Sequence, residues 1–373
     1  MTIEITRRHL VGGMVTSAVA GSAHAQDAEW ARIVEAAKKE GEVIVWGQAG
    51  EGRRKFWKDA FEKAYPGITV RLFQANSTSE RDSRYLREYE AKVAKVDVLV
   101  SGAGSMGGRI LPAGALQPLR PFLRPETLDP KKWVDGEPFW VDKEKQYVIV
   151  ADQPVGAAVV ANKSISPDAL KSWNDLLDPK WDGKIISLDP RQSGQTFALT
   201  LFLYFNPDLG PDYVAKLYNK GRIVFSQDTR QIIEWVESGR MQLAIGVREP
   251  EIASIEKIGA KVVTVAALEA KGVRQTMLVG ADAAAAIPNI ELPHPNAAKV
   301  YVNWFFSKGG QQAMVDALGL TTIQSEADMS SLNKRMLREP GAKYISANDY
   351  RLTSNEAVKA MRDAVTKAIE GNR

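Results

Sequence analysis

Cysteine is absent from all 373 residues. That excludes disulfides, thiolate nucleophiles and thiolate metal sites, so burial alone must hold the fold. Histidine is nearly absent: His9, His24 and His294 are the full set. Ser-His catalysis needs a histidine in a pocket, and zinc sites usually use at least one. His294 lies in Pro293-His294-Pro295-Asn296, which spells a turn and a helix start. Long apolar runs are also missing. No segment approaches about 18 uninterrupted apolar residues, so no membrane-embedded part is expected. Runs of one charge are missing too. The 49 basic and 45 acidic residues are interspersed, with a net charge of +4, which gives nucleic-acid binding little support. Carboxylate catalysis stays open, but no acidic pair stands at a telling spacing. Together these absences favour binding over catalysis.

What is present begins with a targeting pattern. Arg7-Arg8 precedes a mildly apolar stretch, Leu10 to Ala20, and then Ala23-His24-Ala25, an A-x-A cleavage site. TRRHL has the look of a twin-arginine signal, with a general secretory signal as the alternative. Cleavage after Ala25 removes Glu4, Arg7 and Arg8 and leaves a charge of +3, 47 basic against 44 acidic.

The stretch VDVLVSGAGSMGG, Val96 to Gly108, carries Gly102-x-Gly104-x-x-Gly107 after a strand-like run. A dinucleotide fingerprint has this spacing but opens a longer helix, with an acidic residue about 20 positions on. Pro112 stops such a helix, and the downstream LQPLRPFLRPETL is proline-rich. The glycines therefore read as a tight turn where backbone approaches a cleft, and no cofactor is implied.

Periodicity predicts helix Ala28–Lys39, strand Glu42–Trp46, a helix over FWKDAFEKA, strand Ile68–Phe73, a helix around Tyr85 to Tyr89 and strand Val96–Val100. That βαβαβ order implies a parallel sheet with helices on both faces. Ligands sit beyond the carboxyl ends of such strands. Three loops leave those ends, at 47–54, 75–84 and 101–109, rich in Gly, Ser, Thr and Gln. Gln48, Ser77, Thr78, Arg81 and Ser105 are their candidate ligand contacts. The pattern restarts with strands at 147–150, 156–162, 184–189, 222–226 and 241–247. Helices are expected at 195–205, 211–220, 230–238 and 296–307, and the last fifty residues read as helical.

Three segments carry a resemblance. They are EVIVWG…FEKAYPGITV…VDVLV…GALQPLRP, the block SWNDLLDPKWDGKIISLDPRQSGQT, and PHPNAAKVYVNWFFSKGGQQA. Together they resemble the extracellular solute-binding proteins of ABC importers, in the branch that includes ferric-iron binders. The resemblance implies a type II periplasmic-binding-protein fold: two α/β lobes, each a mostly parallel sheet flanked by helices, closing on ligand about hinge strands. It places a signal at 1–25, lobe 1 at 26–154 plus 281–320, and lobe 2 at 155–280. A helical segment, 321–373, would pack across both lobes. Crossings are expected near 155–160 and 275–280. It also implies a periplasmic monomer without enzymatic activity, serving an ABC permease and its ATPase.

Iron binders of this branch use two adjacent tyrosines after the strand matched here by MQLAIGV. This chain has Arg248-Glu249 there. An arginine beside that position repels a trivalent cation, so no metal ligand is assigned. Arg191 and Arg230 lie at or before helix starts, and Arg53, Arg54 and Arg84 border cleft loops. Guanidinium forks suit carboxylate and phosphate. Ser193, Gly194, Gln195 and Thr196 add N–H and hydroxyl donors at a helix N-terminus. The expected solute is a small organic anion: a carboxylate, phosphonate or phosphorylated compound. Glu249 could receive an ammonium or hydroxyl group. Trp46 and Tyr147 read as core, with ring stacking as the alternative. Ferric iron or a ferric chelate, and a secreted enzyme on the same scaffold, remain the other readings; a sensor role is not separable from transport.

Overall fold

The computed structural model describes residues 12–48, 50–75, 78–156, 159–192, 195–247, 249–257, 259, 261–265, 267–279 and 283–371. Arg7 and Arg8 lie outside them. The first helix is Gly12–Glu40, longer than the stretch from Ala28 that periodicity picked out. It contains no proline and much alanine, so nothing local stops it at the expected cleavage point. Gly41, at φ +78°, ends it.

The strands of the first half are β1 (Glu42–Gln48), β2 (Thr69–Ala75), β3 (Val98–Ser101), β4 (Leu116–Gln117), β5 (Phe139–Trp140) and β6 (Val148–Val150). The second half adds β7 (Val159–Asn162), β8 (Ile185–Leu188), β9 (Ile223–Ser226), β10 (Leu243–Ile245) and β11 (Val262–Val265). A third group follows: β12 (Leu268–Ala270), β13 (Val273–Leu278), β14 (Ala284–Pro288) and β15 (Lys343–Ser346). They form three sheets, in the orders β2-β1-β3-β14-β6-β5, β11-β7-β10-β8-β9 and β12-β13-β15, with β4 on β14.

Each large sheet has a parallel part of three strands, β2-β1-β3 and β10-β8-β9. The remaining pairs are antiparallel, because β7 and β14 arrive from the crossings in the opposite sense. Both faces of the first sheet are buried. Val43, Val45, Val98, Val100 and Ile149 enter one core, and Ile44, Trp46, Leu99, Val148 and Val150 enter the other. That is the period-2 alternation of a strand covered on both sides. The second sheet repeats it, with Val159, Ala161 and Ile185 on one face and Val160, Ile186 and Ala244 on the other.

The two segments between the large sheets run side by side. Val155 bridges Leu278, and the Val279 N–H donates to Pro154 O at 2.9 Å. The C-terminal fifty residues are less helical than their pattern suggested. Beyond the single turn Lys334–Met336 and strand β15, α-helix is confined to Tyr350–Thr353 and Asn355–Glu370. Asn333, Pro340 and Gly341 break the period.

The helix Pro295–Phe305 borrows its N-terminal cap. His294 gives no side-chain cap, but Glu40 accepts from Asn296 N at 3.1 Å and Ala297 N at 2.7 Å. Glu40→Ala is expected to lower stability by about 1–2 kcal/mol in urea unfolding. A loss within error would show that water caps the helix equally well.

Candidate functional site

His294 belongs to the floor of the first lobe, not to a pocket. It sits at the N-terminal ends of β1 and β3, opposite their carboxyl ends. Its N–H donates to Asp97 Oδ1 at 2.8 Å, and its Nδ1 lies 2.9 Å from Asp97 Oδ2, which also accepts from Ile44 N. Burial pushes the Asp97 carboxyl up, against these bonds. The pair fixes the turn that starts Pro295–Phe305.

At the carboxyl ends of β1–β3 the candidates divide. Gln48 closes β1, and Thr78 opens the helix Thr78–Glu90. Ser77 lies outside the described residues. Arg81 was expected to face solute, but it is 1% exposed. Its Nη1 donates to Val100 O at 3.1 Å, its Nε to Asp82 at 2.9 Å, and its Nη2 to Asp82 and Ser101. Ser105 donates to the other oxygen of Asp82. Arg81 and Ser105 therefore stitch the ends of two cleft loops together. The Arg81 guanidinium is thus spent on bonds inside the lobe, while Ser105 is partly exposed and its oxygen can still accept. Burial lowers the Arg81 pKa, and Asp82 offsets part of that. Of the fingerprint glycines, Gly102 is the extended N-cap and Gly104 and Gly107 lie in a helix, Ala103–Ser105 continued by Met106–Ile110, that ends before Pro112. Trp46 is core, packed on Phe73 with centroids 4.2 Å apart, and Arg84 stacks on the same phenyl ring at 4.0 Å.

On the second lobe, several candidates converge. The helix Gln195–Phe205 starts at the turn where β10 ends. At Gly246, with φ +72°, an added Cβ would lie 2.4 Å from Thr196 Oγ1. At Gly156, in the first crossing, it would lie 2.8 Å from Gln195 Nε2 and 2.5 Å from Val279 Cγ1. Helix N-terminus, strand end and both crossings thus meet at one place. Thr196 is 1% exposed, yet neither its Oγ1 nor Gln195 Nε2 has a hydrogen-bond partner among the described residues. Buried donors and acceptors are ordinarily paired. Ser193 and Gly194, which precede them, lie outside the described residues, as does Arg248.

Arg191 enters the same loop. It holds Asp189 through Nε at 2.9 Å and Nη2 at 2.6 Å, with Glu370 at 3.7 Å. Its hydrogen bonds hold the Asp189 carboxyl below the usual range. Arg230 does not join this group. It is 75% exposed and pairs along its own helix with Glu234, a surface contact of small worth. Glu249 is 6% exposed and already occupied: Arg335 grips both its oxygens, at 2.7 and 2.9 Å, and Asn333 donates at 2.6 Å. It is not a free acceptor for an ammonium group here. Arg335 and Asn333 escaped the sequence reading because no periodic element surrounds them. Tyr204 and Phe205 pack edge-on at 4.9 Å, with Tyr204 against the second core.

Residues 57–335 match the family of bacterial extracellular solute-binding proteins. The chain belongs to that family. Among solved structures it resembles a Trichodesmium FutA (IdiA) in complex with iron and citrate, at 14% identity and a TM-score of 0.66, covering 88% of this chain and 99% of that one. It also resembles ferric iron-binding protein A of Mannheimia haemolytica in an open conformation, at 13% identity and a TM-score of 0.66, covering 88% and 98%. AfuA of Actinobacillus pleuropneumoniae, a periplasmic binding protein with fructose-6-phosphate bound, matches at 17% identity and a TM-score of 0.56, covering 89% and 99%. No curated protein matches in sequence. At these identities the likeness to solved structures is one of fold: two α/β lobes of a periplasmic binding protein. The family and these neighbours are binding proteins, not enzymes, and the family serves ABC transporters from outside the cytoplasm. Among the described residues, no helix is long and apolar enough to cross a membrane.

Proposed function

We propose that this solute-binding protein captures a small organic anion, a carboxylate, phosphonate or phosphorylated compound, for an ABC permease and its ATPase. It would reach the periplasm through the Arg7-Arg8 signal. One observation carries this reading. Gln195 Nε2 and Thr196 Oγ1 are buried, with no hydrogen-bond partner among the described residues, at the N-terminus of an eleven-residue helix. That end of a helix favours negative charge and offers unsatisfied N–H groups. Arg191 stands four residues earlier in the same loop, and Arg248 follows β10. Anionic oxygens are the chemistry that would pair all of these. Arg248-Glu249 stands where iron binders of this branch carry two adjacent tyrosines, so the phenolate oxygens that hold a bare Fe(III) are missing at that position.

A thermal-shift screen tests the reading, with phosphonates, sugar phosphates, carboxylates, and Fe(III) with and without citrate. A ligand held at about 100 times its dissociation constant adds about 2.7 kcal/mol of stability. The expected result is a shift with one anion class. Arg191→Ala is expected to weaken binding of that anion by about 1–3 kcal/mol, read by calorimetric titration. A shift with Fe(III) alone, or an Arg191→Ala protein that binds as tightly as wild type, would overturn the assignment.

A further inference from the structure

Six consecutive residues near the C-terminus touch both lobes and the strands between them. Arg335 makes four hydrogen bonds to the helix Glu249–Glu256 of the second lobe. Two go to Glu249, and two go to Glu256, at 3.2 and 2.7 Å. Glu249 and Glu256 are seven residues apart, two turns along one helix face. Three residues after Arg335, Arg338 grips Asp135 through Nη1 at 2.6 Å and Nη2 at 3.0 Å. Asp135 follows Trp133, whose ring lies in the first lobe's core. Arg338 also donates to Gln153 at 3.2 Å. Between the two arginines, Met336 O accepts from Val155 N at 2.9 Å, at the start of the first crossing. The arginines are held in fixed relation by a 3-10 turn, capped where Asn333 Oδ1 accepts from Arg335 N at 3.0 Å.

We propose that residues 333–338 form an ionic brace that limits how far the two lobes separate. Arg335 is its anchor on the second lobe, and Arg338 is its tie to the first. The two ends differ in strength. Glu249 is 6% exposed, so the anchor works at low local dielectric, where a paired charge is hard to separate. Asp135 is 52% exposed, so the tie is screened by salt and breaks more readily. Any rotation about the Val155–Leu278 pairing changes the distance between Asp135 and the helix Glu249–Glu256. A rigid turn bonded to both sides opposes that rotation. The brace does not depend on which solute is bound, and Arg335 and Arg338 act as positioning residues.

The chain has no cysteine, so Lys63→Cys on the first lobe and Lys216→Cys on the second give two unique spin-label sites. Interlobe distances are measured by pulsed electron resonance on the ligand-free full chain. Arg338→Gln and Asp135→Asn are each expected to lengthen and broaden the distance distribution. Combining them should add nothing further. The charge swap Asp135→Arg with Arg338→Asp should restore the narrow distribution. Added salt should broaden wild type and leave either single variant unchanged. The pair is exposed, so thermal midpoints should stay near wild type. Unchanged distances in both single variants, or a double variant that adds the two effects, would overturn the brace. So would a lower midpoint with unchanged distances, which would make the pair an ordinary stabilising contact.

Discussion

Gly246→Ala is expected to lower stability by about 2–6 kcal/mol and to abolish the anion-induced thermal shift. Two effects add. Gly246 has φ +72°, a region that costs a side-chain-bearing residue about 1–3 kcal/mol. The new methyl would also lie 2.4 Å from Thr196 Oγ1, 2.7 Å from its Cα and 2.9 Å from its Cβ. The hydroxyl could rotate away, but the Cα cannot, so the first turn of Gln195–Phe205 must move. Overfilling of this kind costs about 1–3 kcal/mol. Moving that turn also displaces the Gln195 and Thr196 groups from the strand end they face. Gly272→Ala is the control: its φ is +77°, and nothing lies within 4 Å of an added Cβ. It should show the backbone cost alone. If urea unfolding gives equal losses for both variants, the contact with Thr196 does not constrain the site.

The sequence revealed those parts of the fold whose pattern is set locally. The alternation in EVIVW needs only that successive side chains point to opposite faces, and β1 appears as Glu42–Gln48. The helix Gln195–Phe205 was located to the residue because apolar residues run through it between polar ends. The antiparallel insertion of β14 between β3 and β6 was not legible. QTMLVGADAAAAI reads as extended chain, and β13 and β14 are strands there, but alanines have little strand preference of their own and nothing local says which strands Ala284, Ala285 and Ala286 join. Strand β15 was hidden likewise, since it pairs with β13 from about seventy residues earlier and sits in a polar segment.

For the site, residue type was legible and pairing was not. Arg81 and Arg191 look alike in sequence, as arginines near helix starts. Arg81 has Asp82 beside it and Val100 O and Ser101 across the sheet, so its charge is neutralised within the lobe. Arg191 is a third exposed, and its partners among the described residues are Asp189, two residues away, and Glu370. The difference lies in partners 19 or more residues away, which no local window contains. Glu249 shows the same limit, because Arg335 is 86 residues distant.

Trp173→Ala is expected to cost about 3–5 kcal/mol, among the largest losses from one side chain in this protein. Trp173 is fully buried, in the second lobe's core with Phe202, whose ring centroid is 5.6 Å away, and with Leu268 and Met277. Its Nε1 donates to Gln275 O at 3.1 Å, and its carbonyl accepts from Tyr213 Oη at 2.6 Å. Ser172 and Asp175 form a capping box that fixes the turn carrying the indole. Ser172 Oγ also donates to Glu269 O at 3.0 Å. The indole thus ties the small sheet of β12, β13 and β15 to the second lobe. Against a total stability of about 5–15 kcal/mol, that loss removes about a fifth or more of the whole. Trp173→Phe separates volume from bonding. It keeps most of the ring but leaves Gln275 O without its indole donor, so a loss of about 1–2 kcal/mol is expected in urea unfolding. Equal losses for the two variants would mean that the single hydrogen bond to β13, and not the filled core, holds the crossing to the lobe. In that case both variants should also loosen β13, and hydrogen exchange at the Met277 and Leu278 amides should rise together in both.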